Sequence, residues 1–177
     1  FEQTPEGITI FGRLRPGGFT LPGDVSSQFI SGLLFALPLL DGDSEIRMLS
    51  KLESKPYVDL TIACLRHFGI AVQETEQGYA VAGGQQYHAC DLTVEGDYSQ
   101  AAFFCVANAL GSDITLTNLN PESVQGDKKI VEIVREMCYN REQGLPAGFT
   151  VDAADIPDLV PILAVLATFG TAPSSIT

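Results

Sequence analysis

The feature that most limits how this chain can fold is an internal repeat. Gly23-Asp24-Val25-Ser26-Ser27-Gln28 opens an apolar run ending at Leu40, and Asp41-Gly42-Asp43 and a strand-like Ser44–Met48 follow. Gly96-Asp97-Tyr98-Ser99-Gln100 opens a second such run ending at Leu110, followed by Asp113-Ile114-Thr115-Leu116-Thr117. A third copy starts at Asp155-Ile156-Pro157-Asp158, is apolar from Leu159 to Phe169 and reaches Ser175-Ile176-Thr177. Self-similarity of this kind predicts stacked copies of one supersecondary unit. Each unit also carries a second helix. In the first, Ser54 is a natural N-cap, Pro56 is tolerated in the first turn, and Val58, Ile62 and Leu65 recur at helical spacing until Gly69. In the second, Asp127 is the predicted cap of a helix bearing Ile130, Val134 and Met137. Alternation predicts hairpin strands at Ala71–Gln73 with Tyr79–Val81, and short strands at Leu92 and Val94. The predicted unit is strand, helix, strand, helix, hairpin.

The repeat is uneven. Gly23 and Gly96 stand about 73 positions apart, whereas Asp97 and the third copy are only about 60 apart. The shortfall falls after Met137, where Cys138–Gly148 shows no alternation, so a stretch is expected to be missing there. The third unit stops after its first helix, and the chain is expected to be incomplete. The first helix of each unit is apolar on nearly every side: Phe29, Ile30, Leu33, Leu34 and Leu37 in one, Phe103, Phe104, Val106 and Leu110 in the next. A helix of that kind is predicted to be buried, while alternating strands keep one wet face. The fold class is therefore α/β, with repeated β-α-β-α-β-β units forming an incomplete inside-out barrel, helices inside and sheets outside.

Composition narrows the function. Hydrophobic residues make up 45% and charged residues 18%, which excludes a disordered chain. A net charge of −12 with no basic stripe argues against nucleic-acid binding. The longest apolar run, Phe29–Leu40, is too short for a bilayer, which needs about 20 residues, and no signal-peptide pattern opens the chain. Four scattered cysteines without a CxxC pair suit free thiols in a reducing compartment, here the cytoplasm. His67 and His88 have no ligand partner at metal spacing, so no metal site is expected.

Small polar and acidic residues open the helices: Ser26-Ser27-Gln28, Ser99-Gln100, Asp155 with Asp158, and Ser54. If the units stack about a pseudo-symmetry axis, these N-termini point one way and form a shared anion site. Each alone reads equally well as a cap, but capping needs one such residue, not three in a row. Lys55 could reach a phosphate or simply be solvated, and Asp158 is either a general base or an acidic first-turn residue complementing the helix dipole.

The ordered series Gly23-Asp24-Val25-Ser26-Ser27-Gln28-Phe29, Ser54-Lys55-Pro56-Tyr57-Val58-Asp59, Val94-Glu95-Gly96-Asp97-Tyr98-Ser99, Gln125-Gly126-Asp127 and Asp155-Ile156-Pro157-Asp158 resembles the 5-enolpyruvylshikimate-3-phosphate synthase family. The resemblance implies two domains of three repeated units, with residues 1–94 the later part of one and 95–177 the early part of the other. It implies that Ser26, Ser27 and Ser54 bind shikimate 3-phosphate, the serines mainly through its phosphate. Gln28 would sit between that substrate and phosphoenolpyruvate, Tyr57 would line the shikimate side, and Asp158 would take the proton of the attacking 5-hydroxyl. The implied reaction is enolpyruvyl transfer through a tetrahedral intermediate with loss of inorganic phosphate, without cofactor, in a monomeric full-length enzyme. The family's Lys and Arg clamps are expected from parts of the protein not present here, because Arg13, Arg15 and Lys51 fall in no matching motif. The chain alone is therefore expected to be inactive. Two alternatives remain: a UDP-N-acetylglucosamine enolpyruvyl transferase, and a repeat module without catalysis.

Overall fold

A computed structural model describes all 177 residues, Phe1–Thr177. The first unit follows the predicted order. Strand β3 (Gly18–Leu21) leads through Ser26 into α1 (Ser27–Ala36), and Ser26 caps that helix by accepting from the Gln28 N–H at 3.2 Å. Pro38 opens a tight 3-10 turn, Leu37–Leu39, and β4 (Ser44–Met48) returns parallel to β3. Helix α2 (Lys55–His67) and a hairpin of β5 (Gln73–Thr75) and β6 (Gly78–Val81) complete the unit, with sheet order β3-β4-β6-β5. Strand β5 begins two residues later than its alternation suggested. Ile30, Leu34 and Leu37 of the first helical segment pack with Val58 and Leu65 of α2 and with Ile46, Tyr79 and Val81 of the sheet. The first unit is preceded by an exposed hairpin, β1 (Glu2–Thr4) with β2 (Gly7–Thr9).

The second half is sparser in strands. Helices α3 (Tyr98–Ala109), α4 (Lys129–Glu142) and α5 (Val160–Ala167) bury Ala102, Val106, Ile130, Met137, Leu163 and Leu166 in a separate cluster. Strands β7 (Thr150–Val151) and β8 (Ser175–Ile176) pair in parallel on either side of α5, as β3 and β4 do around α1. The three small sheets do not close into a barrel.

Three expectations are corrected. Residues 113–117 and the segments at Leu92 and Val94 form no strand. In the first unit β4 is held between β3 and the hairpin strand β6. The second unit has no hairpin, because α4 runs on to Glu142 and the chain then turns at Gly144 (φ 66°). The segment at 113–117, the counterpart of β4, thus lacks its hairpin partner. Its neighbour Asn118 is tied to the strand-like stretch before α3 only by Gly96 N–H to Asn118 O (2.6 Å) and Asn118 Nδ2 to Val94 O (2.9 Å). Second, the first helices are not buried all round: Phe29 is 58% exposed and Phe35, Phe103 and Phe104 are each 47% exposed. One apolar face of each helix meets the sheet and the second helix, and no residue of this chain covers the other. Third, neither Ser54 nor Asp127 caps a helix through its side chain.

Because the two buried clusters share no residue, damage to one should stay local. Leu34→Ala is expected to cost about 3 kcal/mol. Amide exchange should rise across residues 18–81 before it rises across 98–167; uniform loss of protection would show that the clusters unfold as one.

Candidate functional site

One cavity of about 480 Å³ is lined by all six residues that sequence reasoning selected for substrate: Ser26, Ser27, Gln28, Ser54, Tyr57 and Asp158. They come from three places: the first turn of α1, the first turn of α2, and the 3-10 turn Pro157–Leu159 that precedes α5. Backbone contacts bring these together. The Ser54 N–H donates to Ala154 O at 2.9 Å, across a separation of a hundred residues. Gly126 lies so close to the α2 entrance that a Cβ there would stand 2.9 Å from Asp155 O and from Pro56 Cβ.

The serines differ in what occupies them. Ser26 Oγ is used as the α1 cap, which is the structural alternative raised for it above. The side chains of Ser27, Gln28 and Ser54 make no hydrogen bond within the chain. Ser54 is also held in the left-handed region, φ 56°, ψ 31°. A side chain there costs about 1–2 kcal/mol, and such strain collects at functional sites. Behind them, Ser31 Oγ meets Thr61 Oγ1 at 2.8 Å and Thr61 donates to Tyr57 O, which ties α1 to α2 along the cavity wall.

Tyr57 is the pivot. Its hydroxyl donates to Asp127 Oδ2 at 3.0 Å and lies close to Asp158 as well. Burial, and then the two carboxylates, push the phenol far above its ordinary value. Asp127 is 3% exposed and its Oδ1 has no partner. Burial raises its carboxyl above the usual value, with the Asp158 and Asp97 charges adding to the rise and the Tyr57 hydrogen bond opposing it.

Not every expected group arrives. Ser99 and Gln100 do not line the cavity. The Ser99 hydroxyl and N–H both donate to Asp97, and the Tyr98 N–H is taken by Gln125 Oε1, so the α3 terminus is satisfied internally. Lys55 does not reach the cavity either; its Nζ pairs with Asp59 at 2.6 Å and Glu74 at 3.4 Å. Sequence reasoning passed over Asp24 and Glu53, which line the cavity, and the part Asp127 plays beside Tyr57. The motif Gln125-Gly126-Asp127 was visible, but no spacing rule links positions 57 and 127. No lysine or arginine is among the 13 lining residues, while Asp24, Glu53 and Asp158 are. Chemically, the cavity offers free hydroxyls and an amide for an oxyanion, and an exposed carboxylate able to accept a proton.

The sequence matches a family of known transferases over nearly its whole length. The sequence model of EPSP synthase (3-phosphoshikimate 1-carboxyvinyltransferase) matches residues 6–177, and the chain belongs to that family. It is similar to the 3-phosphoshikimate 1-carboxyvinyltransferase of Clostridium novyi (strain NT), 46% identical over 169 residues, 90% of this chain and 39% of that protein. The enzyme of the same name from Clostridium kluyveri is 44% identical over 91% of this chain and 40% of its own length. That from Clostridioides difficile (strain 630) is 38% identical over 99% of this chain and 43% of its own length. The chain thus spans well under half the length of these relatives.

Ser54→Gly should stabilise the fold by about 0.5–1 kcal/mol by relieving the left-handed strain, raising Tm by about 2 °C in a chain of this size; Ser54→Ala, which keeps the strain, should give no such gain. Asp127 supplies a pH dependence. A carboxyl whose folded value is raised binds more protons folded than unfolded, so its contribution to stability is greatest at low pH and falls as pH rises past the ordinary 3.8. Urea unfolding should therefore show wild type losing stability relative to Asp127→Asn as pH rises above the ordinary 3.8.

Proposed function

We propose that this chain contributes to transfer of the enolpyruvyl group from phosphoenolpyruvate to the 5-hydroxyl of shikimate 3-phosphate, giving 5-enolpyruvylshikimate 3-phosphate and phosphate. The observation that carries this reading is the convergence of Ser26, Ser27, Gln28, Ser54, Tyr57 and Asp158 on one cavity. In this reading Ser27 and Ser54 give their free hydroxyls to the substrate phosphate beside the first turn of α1, and Ser26 adds to that cradle. Gln28 lies between the two substrates, Tyr57 lines the ring of the first, and Asp158 accepts the hydroxyl proton during addition. A tetrahedral intermediate then loses phosphate. Protein groups supply all of this chemistry, with no cofactor or metal called for.

The same reading extends to architecture. Residues 1–94 form the later part of one domain and 95–177 the early part of the next, supported by two clusters of buried residues drawn from 30–81 and from 102–166. The uncovered apolar faces of α1 and α3 support an inside-out barrel in which further units bury them. The full enzyme acts as a monomer in the cytoplasm, in keeping with four unpaired cysteines; no helix is long and apolar enough to cross a membrane.

The cavity has three carboxylates and no cation, so two anionic substrates cannot be neutralised by these residues alone. The 177-residue chain is expected to bind shikimate 3-phosphate weakly and to release no phosphate from phosphoenolpyruvate. In amide-detected NMR, shikimate 3-phosphate should shift residues 26–28, 54, 55 and 57, and Ser27→Ala should weaken binding about tenfold. UDP-N-acetylglucosamine moving the same amides instead would favour the cell-wall transferase, and silence with both ligands a module without catalysis. Turnover by the chain alone would overturn the account of its missing cations.

A further inference from the structure

We propose that Asp127 is a positioning residue: it accepts the hydrogen bond of the Tyr57 hydroxyl and so leaves the carboxylate of Asp158 free to accept a proton from whatever occupies the cavity. The role given to Asp158 rests on the function proposed above, but the hydrogen-bond assignment does not.

A phenol has one proton to donate, and the Tyr57 hydroxyl has two carboxylates within reach. Their surroundings differ. Asp158 is exposed, and water can satisfy its oxygens. Asp127 is 3% exposed, its Oδ1 is unpartnered, and the Tyr57 hydroxyl is the one side-chain donor it has. A hydrogen bond gains more where the acceptor is cut off from solvent, and its loss there costs the full desolvation of the group. The competition therefore favours Asp127, consistent with the 3.0 Å contact to its Oδ2. The backbone fixes this geometry, since Asp127 sits in the tight turn Gly126–Lys128 and Gly126 is pressed against Pro56, next to Tyr57 in α2.

No cation interferes. The charged groups facing Asp127 are Asp158, from the turn before α5, and Asp97, at the N-cap of α3. Lys128 beside it sends its Nζ to Pro121 O and Ser123 O, and Lys55 on α2 is held by Asp59 and Glu74. Tyr57, Asp127, Asp158 and Asp97 thus face one another without a cation, and the direction of one O–H bond decides which carboxylate is left without its donor. With Asp127 removed, Tyr57 has only Asp158 to donate to, and that carboxylate becomes a weaker base.

Carboxyl-detected ¹³C NMR titration of the 177-residue chain tests this without substrate, so failure of shikimate 3-phosphate to bind would leave the result unaffected. Tyr57→Phe should raise the Asp127 midpoint by about one pH unit and leave that of Asp158 where it was. Asp127→Ala should lower the Asp158 midpoint, and most of that fall should vanish in the Tyr57→Phe background, where only the change in charge remains. A rise of the Asp158 midpoint in Tyr57→Phe would overturn the proposal, because it would mean that the tyrosine had been donating to Asp158. An Asp127→Ala effect of equal size with and without the hydroxyl would overturn it as well. If Asp127→Ala fails to fold, the Tyr57→Phe titration decides alone.

Discussion

The site depends on a short seam between the entrance of α2 and two turns that follow much later in the chain. Ser54 N–H to Ala154 O, Gly126 against Pro56, and Tyr57 to Asp127 are its three contacts. Each is modest in energy, with a neutral hydrogen bond worth about 1 kcal/mol net. Their effect is geometric: they bring Asp158 opposite the serines of α1. They also leave no room for error, because any side chain at position 126 would drive the seam apart. The left-handed Ser54 belongs to the same arrangement, its N–H turned to Ala154 and its hydroxyl left without a partner in the chain.

Much of the first unit was legible in the sequence. The apolar spacing of Val58, Ile62 and Leu65, the stop at Gly69 and the alternation around Tyr79 are local signals, and local hydrogen bonding realises them. What failed was whatever depends on a distant partner. Residues 113–117 have strand-like chemistry, but a strand exists only when something pairs with it. Lys55 looked available for a phosphate until folding placed Asp59 one turn away and Glu74 on the adjoining hairpin. Asp127 looked like a cap because it precedes a helix, yet its side chain turns to a tyrosine 70 positions earlier. The six residues chosen from the sequence meet at one cavity for another reason, since they were picked by the resemblance of their motifs as a series and no spacing rule joins them in space.

The charge of the chain reads differently once the cavity is known. A total of −12 argues against polyanionic partners, yet the cavity presents the hydroxyls and amide that suit a small anion. The two fit together if hydrogen bonding supplies recognition here and charge neutralisation comes from elsewhere. A serine-lined pocket rimmed by Asp24, Glu53 and Asp158 is then selective but weak on its own.

The half-exposed phenylalanines of α1 and α3 have a colloidal consequence. They give separate copies of the chain a short-range reason to adhere, while −12 on every copy holds them apart at longer range. At physiological ionic strength that repulsion is screened beyond about 8 Å, a range over which the aromatic faces are already meeting. Added salt therefore weakens the barrier and leaves the attraction intact. For a chain with these uncovered faces, dilute buffer is the gentler solvent.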